Sequence, residues 1–201
     1  MARVVVSEFV TVDGVMQAPG GPDEDRTGGF EHGGWQLLEL PDEEIGQYVM
    51  GGLQEAGGFL LGRRTFDIFA AYWPKQPEDD PIAAAINTKP KYVASRTLQN
   101  PLEWNNSVVL GSDLASEVGR LRSEPGGDLV VIGSGDLVQS LARLGLVDAY
   151  HLMVYPLTLG TGKRLFRDGL GKQALRHTGS RTTSRGVVIL EYEPAEQGGN
   201  A

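Results

Sequence analysis

The stretch VVIGSGDLVQS, residues 130–140, decides how this chain is read. The apolar run 129–132 ends at Gly133, Ser134 and Gly135, and an amphipathic helical pattern starts directly after. A strand feeding a glycine turn feeding a helix is a common phosphate-holding device, because the helix N-terminus offers unpaired N–H groups and a positive partial charge. It is equally the form of a plain tight turn. Asp136 stands where an anion would be held, which sharpens the question. It could instead cap its own helix by accepting from N–H groups in the first turn.

Working outward, two other stretches repeat the design. LLGRRTF (residues 60–66) and VASRT (residues 93–97) each end a strand on small, basic or hydroxyl residues. In an open α/β sheet, ligands bind beyond the carboxyl ends of the strands. If the three strands are neighbours, Arg63, Arg64, Thr65, Ser95, Arg96, Ser134 and Gly135 converge on one edge. Cations, hydroxyls and free amides together suit a dinucleotide phosphate chain. Arg63 and Arg64 open a helix, where cations oppose the dipole, so a bound anion there would be stabilising. Ser95-Arg96-Thr97 also reads as a solvated turn.

Strand and helix patterns alternate through the middle of the chain, giving about eight strands and four helices. Residues 3–10, RVVVSEFV, read as a buried strand, and residues 14–34 hold seven glycines in a long mobile loop. LPDEEIGQYVM starts a helix, with Pro41 in its first turn and Asp42, Glu43 and Glu44 complementing its dipole. Residues 73–81 read as a proline-rich connector. Residues 174–183 and 186–193 read as an antiparallel hairpin that breaks the parallel scheme. The expectation is an α/β fold with a mostly parallel twisted sheet, one domain over residues 1–193 and a flexible tail over 194–201.

Composition narrows the chemistry. The 201 residues are 40% hydrophobic and 22% charged, as in ordinary globular proteins. There is no cysteine, which removes disulfides, thiolate catalysis and thiolate metal sites. His32, His151 and His177 are scattered, so no metal site is expected. A net charge of −8 argues against a general nucleic-acid or membrane-surface binder. No signal peptide or transmembrane run is read, and a cytoplasmic location is the default expectation.

The ordered set SEFVTVDGVMQ, GGW, GRRTF, KYVASRT, VIGSGDLVQSLARLGLVDAYHL and YPLTLGTGKRLF resembles the dihydrofolate reductase superfamily. It is most similar to the stand-alone branch related to the reductase domain of the riboflavin-biosynthesis deaminase/reductase. The resemblance implies an NADPH-dependent oxidoreductase that passes a hydride to a small conjugated C=N or carbonyl substrate, pterin- or pyrimidine-like. It implies that residues 62–65 and 133–137 hold cofactor phosphates, and that Ser95 and Arg96 lie beside the adenosine 2′-phosphate. It places Phe9 and Met16 near the nicotinamide, makes residues 11–35 the loop that closes over it, and implies a homodimer. A guanidinium beside a 2′-phosphate favours NADPH over NADH.

One departure stands out. The first helix carries no acid at the family's spacing from GRRTF, and Gly46 lies nearer that place. Candidates for acid–base work are Asp13, Asp42 and Tyr155. Each has a structural alternative: a turn residue for Asp13, a helix-start acid for Asp42, a buried strand-end phenol for Tyr155. Trp35 either stacks on a planar ligand or pins the loop to the core. A nucleotide-binding or regulatory module with little turnover is the alternative function, and a flavin or deazaflavin the alternative cofactor.

Overall fold

Strand β1 (Val4–Thr11) is built from β-branched residues that alternate between two covered faces of a central sheet. The computed structural model describes residues 1–39 and 41–195, and the end of the expected tail, residues 196–201, lies outside them. Among the described residues eight strands form one sheet in the order β4-β3-β2-β5-β1-β6-β8-β7. The other strands are β2 (Gly58–Gly62), β3 (Lys91–Ala94), β4 (Ser107–Val109), β5 (Leu129–Val131), β6 (Ala149–Tyr155), β7 (Leu175–Thr182) and β8 (Val188–Pro194). Every pairing from β4 across to β6 is parallel, and β8 and β7 then add antiparallel. This is the expected mixed sheet with its C-terminal hairpin.

Five α-helices cover the two faces: α1 (Glu43–Glu55), α2 (Arg63–Tyr72), α3 (Pro81–Thr88), α4 (Leu114–Ser123) and α5 (Gly135–Arg143). The strands' period of two divides the core. Leu60, Leu129 and Val131 pack with Val118 and Leu121 of α4 and Leu137, Val138 and Leu141 of α5. Phe59, Leu61 and Val130 face the other way, against Leu53 of α1, Phe66 of α2 and Ile86 of α3.

Two expectations need correction. Helix α3 takes in Pro81, the last residue of the expected connector, and runs on to Thr88, a helix the sequence patterns did not announce. Asp80 caps it, accepting from the N–H groups of Ile82 at 2.8 Å and Ala83 at 3.0 Å, and Pro81 occupies its first position. Helix α1 begins at Glu43 with Asp42 as its N-cap, so Pro41 precedes the cap rather than entering the first turn. No helix of the described residues is long and apolar enough to cross a membrane.

The sheet order positions the site. Strand β5 inserts between β2 and β1, and its pairing with β1 ends at Val6 opposite Val131. β1 continues to Thr11 beside β6 alone. A gap therefore opens between the second half of β1 and the turn that follows β5. Parallel sheets gather their ligand crevices at this kind of divergence.

Candidate functional site

The three turns meet. Strands β3, β2 and β5 are consecutive neighbours, so their carboxyl ends lie side by side. The Gly62 N–H donates to Ser134 Oγ at 3.0 Å, and Thr65 Oγ1 donates to the Gly133 carbonyl at 2.9 Å. Arg63 Nη1 donates to Thr97 Oγ1 at 2.7 Å, joining the third turn to the first. Ser95 Oγ shapes its own turn by accepting from the N–H groups of Thr97 and Leu98. Gly133 sits at φ +65°, and a Cβ there would lie 3.1 Å from Thr65 Cγ2. A side chain at that position would strain the backbone and crowd the adjoining turn.

Helices α2 and α5 both begin at this edge, and neither has a side-chain N-cap. Helices α1, α3 and α4 are each capped by an aspartate instead. The first-turn N–H groups of α2 and α5 thus keep their capacity for a ligand. Arg63, Arg64 and Arg96 are all exposed along the same edge. Arg63 pairs with Asp67 at 3.5 Å, and no ion pair or hydrogen bond holds the Arg96 guanidinium among the described residues.

Asp136 answers the opening question differently from the expectation of a self-capping acid. Its side chain is 96% exposed and pairs with Arg167 Nη2 at 2.5 Å, away from the first turn of α5. The N-cap of α5 is Ser134, whose hydroxyl donates to the Ile132 carbonyl rather than capping. Leu137 is 4% exposed and belongs to the core, so only its backbone faces the turn.

The long loop forms a roof over the glycine turn. Met16 is buried, its N–H donates to the Lys163 carbonyl, and a Cβ on Gly135 would lie 2.9 Å from its sulfur. Asp25 gathers the rest of the loop. It pairs with Lys163 through a short contact, and Arg64 Nη1 lies 4.0 Å from it and donates to Thr27 Oγ1 at 3.2 Å. Burial pushes the Asp25 carboxyl up, but the bonds from Lys163 and Thr27 outweigh it and hold the group below its ordinary range. Trp35 pins the loop: it is fully buried, donates Nε1–H to the Gln17 carbonyl at 2.8 Å, and meets the Tyr155 ring edge-on. No face of Trp35 is left open for stacking on a ligand.

The acid–base candidates separate. Asp13 accepts from Thr11 Oγ1 at 2.6 Å and from the N–H groups of Leu159 and Gly160, with the Thr11 bond leading its lowered pKa. It fastens the end of β1 to the 159–164 segment as a turn residue. Asp42 caps α1 and accepts from Thr183 Oγ1 at 2.6 Å. Tyr155 is fully buried between Phe9 and Trp35, its hydroxyl unpartnered, and burial pushes its pKa up to about 12. Phe9 is half-buried on the sheet face opposite Glu8.

Glu8 is not among the acid–base candidates the sequence offers. It is 3% exposed in β1, beside the gap, and its Oε1 has no partner among the described residues. Burial holds its carboxyl well above the ordinary value of 4.5. The N–H groups of Gly133 and Ser134 act against that rise, and the charge of Glu24 adds to it. Only the alternation of Val4, Val6, Glu8 and Val10 on one face could have marked it.

A sheet in this order, with glycine and arginine turns at its carboxyl edge, defines an α/β fold with a mostly parallel sheet. The chain belongs to the family described as the RibD C-terminal domain, whose model matches residues 2–189. It is 31% identical over 193 residues to the uncharacterised protein YyaP of Bacillus subtilis (strain 168), covering 94% of each chain. Among solved structures it is similar to a putative riboflavin biosynthesis protein from Shewanella sp. PV-4, at TM-score 0.72 and 18% identity, covering 98% of this chain and 100% of that one. Dihydrofolate reductase from Enterococcus faecalis, complexed with NADP(H), matches at TM-score 0.61 and 10% identity, covering 96% of this chain and 97% of that one. Both likenesses are of fold.

Proposed function

We propose that the protein is an NADPH-dependent oxidoreductase acting on a small conjugated C=N or carbonyl compound. One observation carries this reading. The turns after β2, β3 and β5 are hydrogen-bonded into one cradle with two uncapped helix starts and three exposed arginines. In a chain of net charge −8, such a local basic edge is suited to a compact polyanion.

The residues present fit the cofactor. Gly135 and the N-termini of α2 and α5 supply backbone N–H groups for a pyrophosphate, while the N–H groups of Gly133 and Ser134 face Glu8. Arg63, Arg64 and Arg96 supply fork-shaped donors for phosphate oxygens. Bound NADPH would supply the hydride. The chain's own part is to orient the ligand on the cradle and exclude water with the roof of residues 12–35. The relatives support this: the family is reductase-related, and the Enterococcus faecalis protein is described with NADP(H).

The test is fluorescence titration with NADPH, for which saturable binding is expected; absence of binding at high micromolar cofactor would overturn the reading. Arg63→Ala and Arg96→Ala should weaken NADPH more than NADH. An equal loss would mean that neither reads the 2′-phosphate. A second reading, a nucleotide-binding module with little turnover, is favoured by the engagement of Asp42 as a cap. Tight NADPH binding without oxidation across pterins, flavins and quinones would select it.

A further inference from the structure

The segment 165–173 lies against α5 and is fastened to it by side chains. Gln139 Nε2 donates to the Leu165 carbonyl at 2.8 Å, Arg143 Nε to the Gly169 carbonyl at 3.2 Å, and Gln173 Nε2 to the Ala142 carbonyl at 3.0 Å. Arg167 pairs with Asp136 in the first turn of the helix. Between helix and segment lies a cavity of about 380 Å³, lined by Asp136, Gln139, Ser140, Arg143, Arg167 and Asp168. A space of that size takes a small molecule. Positions 136, 139, 140 and 143 fall on one face of α5 by their three- and four-residue spacing, so the helix wall of the cavity is polar along its length.

Two of the four charges on the wall cancel. Arg167 Nη2 lies 2.5 Å from Asp136 Oδ1. The other two stay uncompensated. Arg143 spends its Nε–H on a neutral carbonyl, and no ion pair or hydrogen bond holds its Nη groups among the described residues. Asp168 likewise has no partner for its carboxylate among them, and is exposed. Arg143 and Asp168 thus line one cavity without pairing to each other. Ser140 Oγ gives its hydrogen to the Asp136 carbonyl at 3.0 Å, which leaves its lone pairs for a donor. Gln139, at 4% exposure the buried member of the wall, has its Oε1 without a partner among the described residues. A leucine there would fill the core at no polar cost.

A plain anion on the Arg143 guanidinium would meet Asp168 and Asp136 beside it. A plain cation on Asp168 would meet two guanidinium groups. A molecule that carries both charges is matched by both. We propose that the cavity binds a small zwitterion with one carboxylate and one ammonium group, the chemistry of a free amino acid. Its carboxylate accepts from the Arg143 Nη groups, and its ammonium donates to the Asp168 carboxylate and the Ser140 oxygen. The site opens on the flank of α5, outside the cradle at the start of that helix, and does not depend on the cofactor reading.

Calorimetric titration with glycine, β-alanine and γ-aminobutyrate, which space the two charges by increasing lengths, tests this. Acetate and methylammonium serve as single-charge controls. At least one zwitterion should bind saturably at millimolar concentration, and more tightly than either control. Arg143→Gln and Asp168→Asn should each weaken that binding by roughly tenfold, with folding followed by circular dichroism. Should Arg143→Gln not fold, Asp168→Asn alone decides. Absence of binding for all three zwitterions overturns the inference. So does acetate or methylammonium binding as tightly as the best zwitterion, which would make the cavity a plain ion site. Binding that neither substitution weakens overturns it too, by placing the zwitterion elsewhere on the protein.

Discussion

Burial that raises the Glu8 carboxyl above its ordinary value couples stability to pH. Below the ordinary glutamate value of 4.5 both the folded and the unfolded chain hold the proton, and the group contributes its full stability. As pH rises, the unfolded chain releases the proton first, while burial keeps Glu8 protonated in the fold. Stability then falls, by up to about 1.4 kcal/mol per pH unit, until the raised folded value is passed. Glu8→Gln lacks this loss. Urea denaturation at several pH values should show the variant gaining on wild type from pH 4.5 upward. A gap independent of pH would mean that Glu8 ionises normally. Glu8 was hard to read in advance, because a glutamate in a strand ordinarily faces water. Past the early end of β5, the turn at Gly133 and Ser134 faces it, a tertiary event that RVVVSEFV alone does not encode.

Local grammar explains why the cradle was easier to read. Each of its turns is encoded within about six residues of one strand end, and the three strands came out adjacent. Asp136 shows the limit: Arg167, 31 positions away, competes for its carboxylate and wins over the first turn of α5. Because that pair is exposed, Asp136→Ala should change stability by less than about 1 kcal/mol and leave NADPH affinity unweakened. A larger loss in a melting experiment would restore a capping role. Helix α3 was missed because eight residues, PIAAAINT, carry too little periodic signal beside a proline-rich stretch. The roof loop depends on Asp25, whose side chain is only 11% exposed. Asp25→Ala should destabilise by about 1–3 kcal/mol, since it strands Lys163 and frees Arg64. It should also speed amide exchange across residues 17–29, and unchanged exchange there would show that the aromatic pin alone holds the loop.

For the molecule as a whole, the doubly covered sheet followed from alternating strand and helix patterns, and the mixed edge from the final hairpin. The strand order could not be read the same way. Nothing local in LVV announces that a three-residue strand from the second half of the chain enters between β2 and β1. Yet that insertion creates both the gap at Glu8 and the junction of the three turns.

The same insertion governs how the protein comes off the ribosome. Both partners of β1 lie beyond residue 128, in β5 and β6, whereas β2, β3 and β4 can pair among themselves earlier. Strand β1 is therefore made before either of its partners and is among the last to be hydrogen-bonded. During synthesis its valine-rich face waits uncovered until residues 129–155 have been made.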